Sequence, residues 1–216
     1  MGRRNSPRKT PRNTEAEALF PCPSVSFRAF RGLCAECLHS LSKVQDLSPL
    51  RGCPLEVVNL INCKIVNLTP LRGAPLREAY ITFTQSGDLS FLADAPIEKL
   101  DCSNGLVFDL TPLRGKPLAS LFAYGNPISD LRPLAGLPLL ELDLNNSCSK
   151  VTDFSPLLEL PRLEKLRLGP AASMKASIEP LRKHPSPKYI GMGVTPYRPV
   201  AEFWAEYDAQ QAAGKK

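Results

Sequence analysis

The stretch DLRPLAGLPLLELDL, residues 130–144, decides the fold because near copies of it recur along the chain. Each copy opens with an acidic or amide residue, usually continues through Leu-Ser/Thr-Pro-Leu, and ends in spaced leucines. The first apolar residues of successive copies are 21 residues apart over four steps and 23 over the fifth. A fixed period in the twenties predicts a solenoid of stacked coils. These first apolar residues are Leu47, Leu68, Leu89, Leu110, Leu131 and Phe154.

The second half of each copy predicts a β-strand. Successive side chains of a strand face opposite sides, so Leu142 and Leu144 are expected inside the solenoid and Asp143 outside it. The same register gives every coil one small residue at the bend after the strand, where a polar side chain would satisfy backbone groups. That bend position holds Cys63, Thr84, Gly105, Asn126, Ser147 and Ala171.

The first half of each copy predicts a short helical turn. Ser48 and Thr69 each precede a proline, and a hydroxyl N-cap followed by proline at the first helical position begins a helix. The acidic residue two positions before the hydroxyl is expected to accept a hydrogen bond from the backbone N–H two residues on. The residues expected to do so are Asp46, Asp88, Asp109, Asp130 and Asp153.

The motif D-L-(S/T)-P-L-(R/K)-G-x-P-L-x-x-L resembles short bacterial leucine-rich repeats of the internalin-like and protein-phosphatase-regulator classes. The closing PVAEFWAEYDA, residues 199–209, resembles the end of leucine-rich-repeat regions appended to some bacterial serine/threonine kinases. The resemblance covers roughly residues 46–208. It implies an α/β solenoid, a horseshoe with a curved parallel sheet on its concave face, short helical turns on its convex face and a C-terminal capping helix. It also implies a protein-recognition scaffold, sometimes a regulatory one.

The expected organisation has four parts: a basic disordered tail at 1–24, a degenerate repeat or cap at 25–45, the repeat domain at 46–194, and a capping helix with a tail at 195–216. In the last part Val200, Phe203, Trp204 and Tyr207 follow helical spacing and form one apolar stripe. The stripe is interpreted as a lid on the last repeat, with an anchor for a partner as the alternative.

Charge excludes a nucleic-acid platform on the repeat body. The net charge is +6, but five of the 27 basic residues lie in residues 1–12, and the remaining 22 nearly balance 21 acidic residues. Three roles stay open for the tail: loose affinity for phosphate or a membrane surface, N-myristoylation through its M-G-x-x-x-S pattern, and a transit peptide. No apolar run reaches the roughly 18 residues of a membrane span.

The seven cysteines are odd in number and irregular in spacing, which indicates a reducing compartment rather than a disulfide framework. Cys34-x-x-Cys37 is a lone pair, so no zinc site is expected, and no cofactor is expected either. A cytoplasmic monomer is the resulting expectation.

The candidate site is the concave sheet, where strand residues without a core duty are free to bind. Tyr80, Phe122 and Tyr124 are predicted to form an aromatic cluster flanked by Asp101 and Asp143, the usual composition of a protein-binding hot spot. The alternative is a solvated sheet whose aromatic rings only shield backbone hydrogen bonds. The predicted partner-binding residues are Asn59, Glu78, Tyr80, Asp101, Phe122, Tyr124, Asp143 and Arg167.

Three function classes remain open. The leading hypothesis is a non-enzymatic scaffold that binds a protein or peptide on its concave face. The second is a regulatory or targeting subunit, or a split fragment, of a bacterial serine/threonine kinase or phosphatase system. The resemblance does not imply kinase activity for this chain, since the chain has no Gly-rich phosphate loop, H-R-D or D-F-G segment. The third is an enzyme whose site is assembled across repeats, for which His184 is the residue to test.

Overall fold

The computed structural model describes residues 45–170, 174 and 176–213. The predicted basic tail, and the predicted first repeat except Gln45, lie outside these residues. Within the described residues the strands form one sheet in sequential order, β1 to β8. The strands are β1 Val57–Asn59, β2 Glu78–Tyr80, β3 Lys99–Asp101, β4 Ser120–Phe122, β5 Glu141–Asp143, β6 Lys165–Leu168, β7 Tyr189–Met192 and β8 Arg198–Pro199.

The sheet register follows the sequence period. Strands β1 to β7 pair in parallel, and from β1 to β5 each residue lies beside the residue 21 positions further on, as Val58 does beside Ala79. Between β5 and β6 the offset grows to 24, with Glu141 beside Lys165, and the longer coil contains an extra turn at Cys148–Lys150. The predicted leucine-rich-repeat solenoid is therefore confirmed.

The turns opposite the sheet are short 3₁₀ helices. In the first, Ser48 is the first helical residue and Leu47 is at the N-cap, without a side-chain capping bond, so the predicted hydroxyl N-cap is wrong. The predicted acidic contact is confirmed: the Ser48 N–H donates to Asp46 Oδ1 over 2.8 Å, and Asp88, Asp109, Asp130 and Asp153 accept equivalent bonds. The carboxylate caps the turn because it reaches the amide that a three-residue helix leaves unpaired. The turns are Ser48–Leu50, Thr69–Leu71, Ser90–Leu92, Thr111–Leu113, Arg132–Leu134, Ser155–Glu159 and Glu179–Lys183.

The core is a continuous apolar row through the stacked coils. Leu142 and Leu144 are fully buried, while Asp143 between them faces outward and is half-buried, as the alternation predicts. Cys102 occupies a leucine position of the core, and burial raises the pKa of its thiol to about 12, so it stays protonated and packs as a small apolar group.

Polar side chains at the bend position connect neighbouring coils. Ser147 Oγ donates to the carbonyl of Ala123 over 2.5 Å and accepts a bond of 2.8 Å from the Asn126 N–H. The Asn126 side chain in turn reaches back to Cys102 and Val107 of the preceding coil. The prediction that this position satisfies backbone groups is confirmed at Asn126 and Ser147.

The C-terminal end is closed by two elements. Strand β8 pairs antiparallel with β7, a pairing that the sequence did not predict, and Pro199 then leaves the edge without a donor for a further strand. The helix α1, Val200–Ala213, buries Phe203 and Trp204 against the last coil. The Arg182 guanidinium stacks 4.2 Å from the Trp204 ring and also pairs with Asp208. The predicted capping helix is confirmed. Among the described residues, no helix combines the length and apolarity that crossing a membrane requires.

Candidate binding surface on the concave face

The sheet register brings all eight predicted site residues onto one face. Six of them form the central row, one from each of β1 to β6, since each lies directly beside the next across the sheet. Glu78 lies in the row on one side, and Tyr124 continues beyond β4 on the other. The central row is Asn59, Tyr80, Asp101, Phe122, Asp143 and Arg167.

Along the central row, small polar residues alternate with large side chains. In β1, β3 and β5 the residue is Asn59, Asp101 or Asp143, and its Oδ1 accepts a hydrogen bond from the backbone N–H two residues on, over 2.9 to 3.2 Å. These oxygens therefore hold the chain where it leaves the strand. The large side chains of β2 and β4, Tyr80 and Phe122, have no such duty.

Tyr80 is held in one orientation by two neighbours. Its hydroxyl donates to Glu78 Oε2 over 2.6 Å, and Lys99 Nζ lies 5.3 Å from the centre of its ring. Burial, followed by the bond to Glu78, raises the pKa of Tyr80, so the hydroxyl stays protonated and keeps donating. The ring is thus held in one orientation by contacts within the protein.

The predicted aromatic cluster is not a set of touching rings. Tyr80 and Phe122 lie on β2 and β4, with Asp101 of β3 between them, and no ring contact joins them to each other or to Tyr124. The reason is strand spacing, because side chains two strands apart in one row are separated by about 9.6 Å. Tyr124 is held separately, its hydroxyl accepting a bond of 3.3 Å from Asn146 Nδ2.

The C-terminal end of the row is covered by the chain itself. The Tyr197 ring lies 4.3 Å from the Arg167 guanidinium, whose Nε is 3.6 Å from Asp143 Oδ2. Burial raises the pKa of Asp143, while the nearby Arg167 favours its charged form. Arg167 and Asp143 therefore form an ion pair that is shielded by a side chain of the β7–β8 turn.

Gly191 shows why Tyr197 fits there. Gly191 lies beside Arg167 at the end of the central row, and it is buried because Tyr197 covers this part of the face. A Cβ on Gly191 would lie 3.5 Å from Tyr197 Cδ1 and 3.6 Å from Arg167 Nε. The sequence did not predict that Tyr197 covers the end of the row. A signal was present in Gly191 and Gly193, because the equivalent positions of the other strands mostly carry larger side chains.

His184, the residue named for an enzymatic site, is buried beside the last coil. Its Nδ1 accepts a bond of 3.2 Å from the Ser186 N–H, and its buried Nε2 has no hydrogen-bond partner among the described residues. Burial lowers the pKa of His184. The imidazole is thus placed inside the fold, away from the concave face.

Comparison with known proteins bears on the fold. No protein-family model and no curated protein matches the sequence. Among solved structures, an internalin (inlF) of Listeria monocytogenes is 20% identical with a TM-score of 0.50, the match covering 72% of this chain and 58% of that one. Internalin C2 of the same organism is 25% identical with a TM-score of 0.48, and the match covers 69% and 57%.

The repeat, the parallel register and the likeness to inlF define this chain as a leucine-rich-repeat protein with an internalin-like solenoid. The matched region spans less than three fifths of the length of either internalin.

Proposed function

We propose that this protein is a binding scaffold that holds an extended segment of another protein against its concave face, over strands β1 to β4. The observation that carries the proposal is the pair of large side chains, Tyr80 and Phe122, standing on either side of Asp101 on a regular parallel sheet. Two strand spacings separate the rings by about 9.6 Å, enough for one side chain of a partner to enter between them.

The chemistry of that gap indicates what would enter it. Asp101 Oδ1 is occupied by the Ser103 N–H, while Oδ2 has no hydrogen-bond partner among the described residues. A lysine, an arginine or an amide N–H lying between two aromatic rings would contact both the carboxylate oxygen and the ring faces. Aromatic anchors with a polar group at their centre are typical of interface hot spots.

Preorganisation also favours binding. Tyr80 and Tyr124 are already held by Glu78 and Asn146, so a partner would not have to order these rings. Ordering a flexible side chain at an interface costs about 0.5–1.5 kcal/mol, and that cost is reduced here. Asp143 and Arg167 were predicted to bind as well, but their pairing under Tyr197 supports a structural role for them and leaves β1 to β4 as the binding region.

The test is quantitative capture of proteins from the native lysate by the full chain, read by mass spectrometry after crosslinking. The Tyr80→Ala/Phe122→Ala/Tyr124→Ala variant is expected to lose a partner that the wild type captures, since loss of one anchor alone costs about 2 kcal/mol, or roughly 30-fold in affinity. Val194→Ser, which removes an exposed apolar side chain outside these strands, serves as the matched control. Equal capture by the triple variant and the wild type would refute the proposal. The kinase- or phosphatase-linked alternative stays a prediction.

A further inference from the structure

A second surface, separate from the concave face, exposes large apolar side chains. Leu106 and Phe108 follow β3 on the way to the next 3₁₀ turn, and they are 58% and 65% exposed. Val66, two coils earlier, is also 65% exposed. Val107, between Leu106 and Phe108, is fully buried, so the backbone is fixed and its two neighbours point outward together. Contiguous exposed apolar side chains with polar surroundings are typical of interaction sites.

A groove lies beside Leu106 and Phe108, and Gly87 forms part of its lining. Val66, Gly87 and Phe108 hold the same place in three consecutive coils, 21 residues apart, and at Gly87 the Leu106 backbone lies where a side chain would otherwise stand. A Cβ on Gly87 would lie 2.3 Å from the Leu106 carbonyl oxygen, so any other residue here would push the coils apart. The groove beside Gly87 has a volume of about 400 Å³. We call it the edge groove; residues lining it include Gly87, Asp88, Leu106, Phe108, Asp109 and Pro112.

The edge groove is acidic on one side. Asp88 and Asp109 each accept a hydrogen bond from the backbone of their own turn, and neither forms an ion pair with any described lysine or arginine. In the next coil Asp130 differs, because Arg132 pairs with it over 2.7 Å. Hydrogen bonds from Thr111 lower the pKa of Asp109, so its carboxylate is charged at neutral pH. Two uncompensated negative charges thus adjoin an apolar depression.

We propose that the edge groove is a second binding site, for a peptide segment of another protein that carries a large apolar side chain next to a lysine or arginine. The apolar side chain would enter the edge groove against Leu106 and Phe108, and the cation would meet Asp88 and Asp109. Charge complementarity selects this occupant, since an acidic segment or a nucleic acid would be repelled by both carboxylates. The site is independent of the concave face and extends the proposed function to a two-surface scaffold.

The probe is a phage-displayed library of random dodecapeptides, selected on the immobilised full chain. Peptides that bind the wild type are then challenged with a Leu106→Ser/Phe108→Ser variant, which removes only exposed side chains, and its far-ultraviolet circular dichroism is expected to match that of the wild type. Selected peptides are expected to combine a large apolar residue with a nearby lysine or arginine and to lose about 30-fold in affinity on this variant. Val194→Ser and the concave triple variant are expected to bind them like the wild type, which separates this proposal from the previous one.

The charge is tested with Asp88→Asn/Asp109→Asn. Asn67 occupies the equivalent position of the second coil, where its Oδ1 accepts a bond of 2.9 Å from the Thr69 N–H, so asparagine preserves the turn while removing the charge. The expected loss is about fivefold at low ionic strength and less at 0.5 M salt. Three results would overturn the proposal. The first is that no selected peptide binds the wild type more tightly than Leu106→Ser/Phe108→Ser, and the second is that the selected peptides are acidic. The third is a dimer in sedimentation that Leu106→Ser/Phe108→Ser dissociates, which would make a second copy of the chain the occupant.

Discussion

Asn126 joins two coils through a single buried side chain, and Asn126→Ala tests how the coils hold together. The side chain is 3% exposed; its Nδ2 donates to the carbonyls of Cys102 and Ala123 over 2.9 and 3.0 Å, and its Oδ1 accepts from the Val107 N–H over 3.0 Å. Cys102 and Val107 belong to the preceding coil. Truncation to alanine would leave the Val107 N–H and the Cys102 carbonyl buried without their partner.

The expected loss follows from those two groups. A buried donor or acceptor without a partner costs about 1–3 kcal/mol, and water entering the vacated space would relieve part of that cost. We therefore expect the free energy of unfolding of Asn126→Ala to fall by about 3 kcal/mol. With a urea slope of about 3 kcal/mol per molar, the unfolding midpoint measured by circular dichroism would fall by about 1 M.

Thr84→Val is the matched control at the same position of another coil. Thr84 Oγ1 makes one bond, to the carbonyl of Ile81 in its own coil, over 2.8 Å. Its removal is expected to cost about 1 kcal/mol, because no second coil depends on it. A loss for Asn126→Ala no greater than that for Thr84→Val would refute the idea that the asparagine bridge stabilises the stack.

Two further predictions concern a strained residue and a buried base. Phe83 has a φ of +58° and is 53% exposed, whereas Asn62, Asn104 and Asn146 hold the same left-handed position in other coils. Phe83→Asn is therefore expected to raise the free energy of unfolding by about 0.5–1 kcal/mol. An unchanged or lower urea midpoint would contradict this prediction. Burial lowers the pKa of His184 below its unfolded value of about 6.5, so as the pH falls from 7 towards 5 the unfolded chain binds a proton that the folded chain resists, and stability should fall. His184→Asn, which retains an acceptor for the Ser186 N–H, should lose that part of the pH dependence in parallel unfolding titrations, and identical slopes for the two proteins would argue against it.

The sequence predicted most of what each residue does within its own coil, the hydroxyl N-cap being the exception. The spacing of the leucines predicted that Leu142 and Leu144 face inward and Asp143 outward, and the aspartate before each turn predicted a bond to the amide two residues on. Alternation in a strand and capping by a neighbouring carboxylate are local consequences of backbone geometry, so the period alone was enough. The rows of the candidate site followed from the same period, because stacked coils in register place equal positions side by side.

Only the tertiary structure decided the contacts between coils and at the covered end. The sequence shows a glycine at 105, but only the stacking shows that a Cβ there would lie 3.2 Å from Asn126 Oδ1, in the space through which the next coil reaches back. Likewise, Gly191 and Gly193 signal a covered position, but the sequence does not show that Tyr197 covers Arg167, thirty positions earlier, or that Leu106 and Phe108 stay in solvent. These outcomes depend on which individual side chains fill the space where coils and end segments pack, whereas a repeat period predicts only which positions lie side by side.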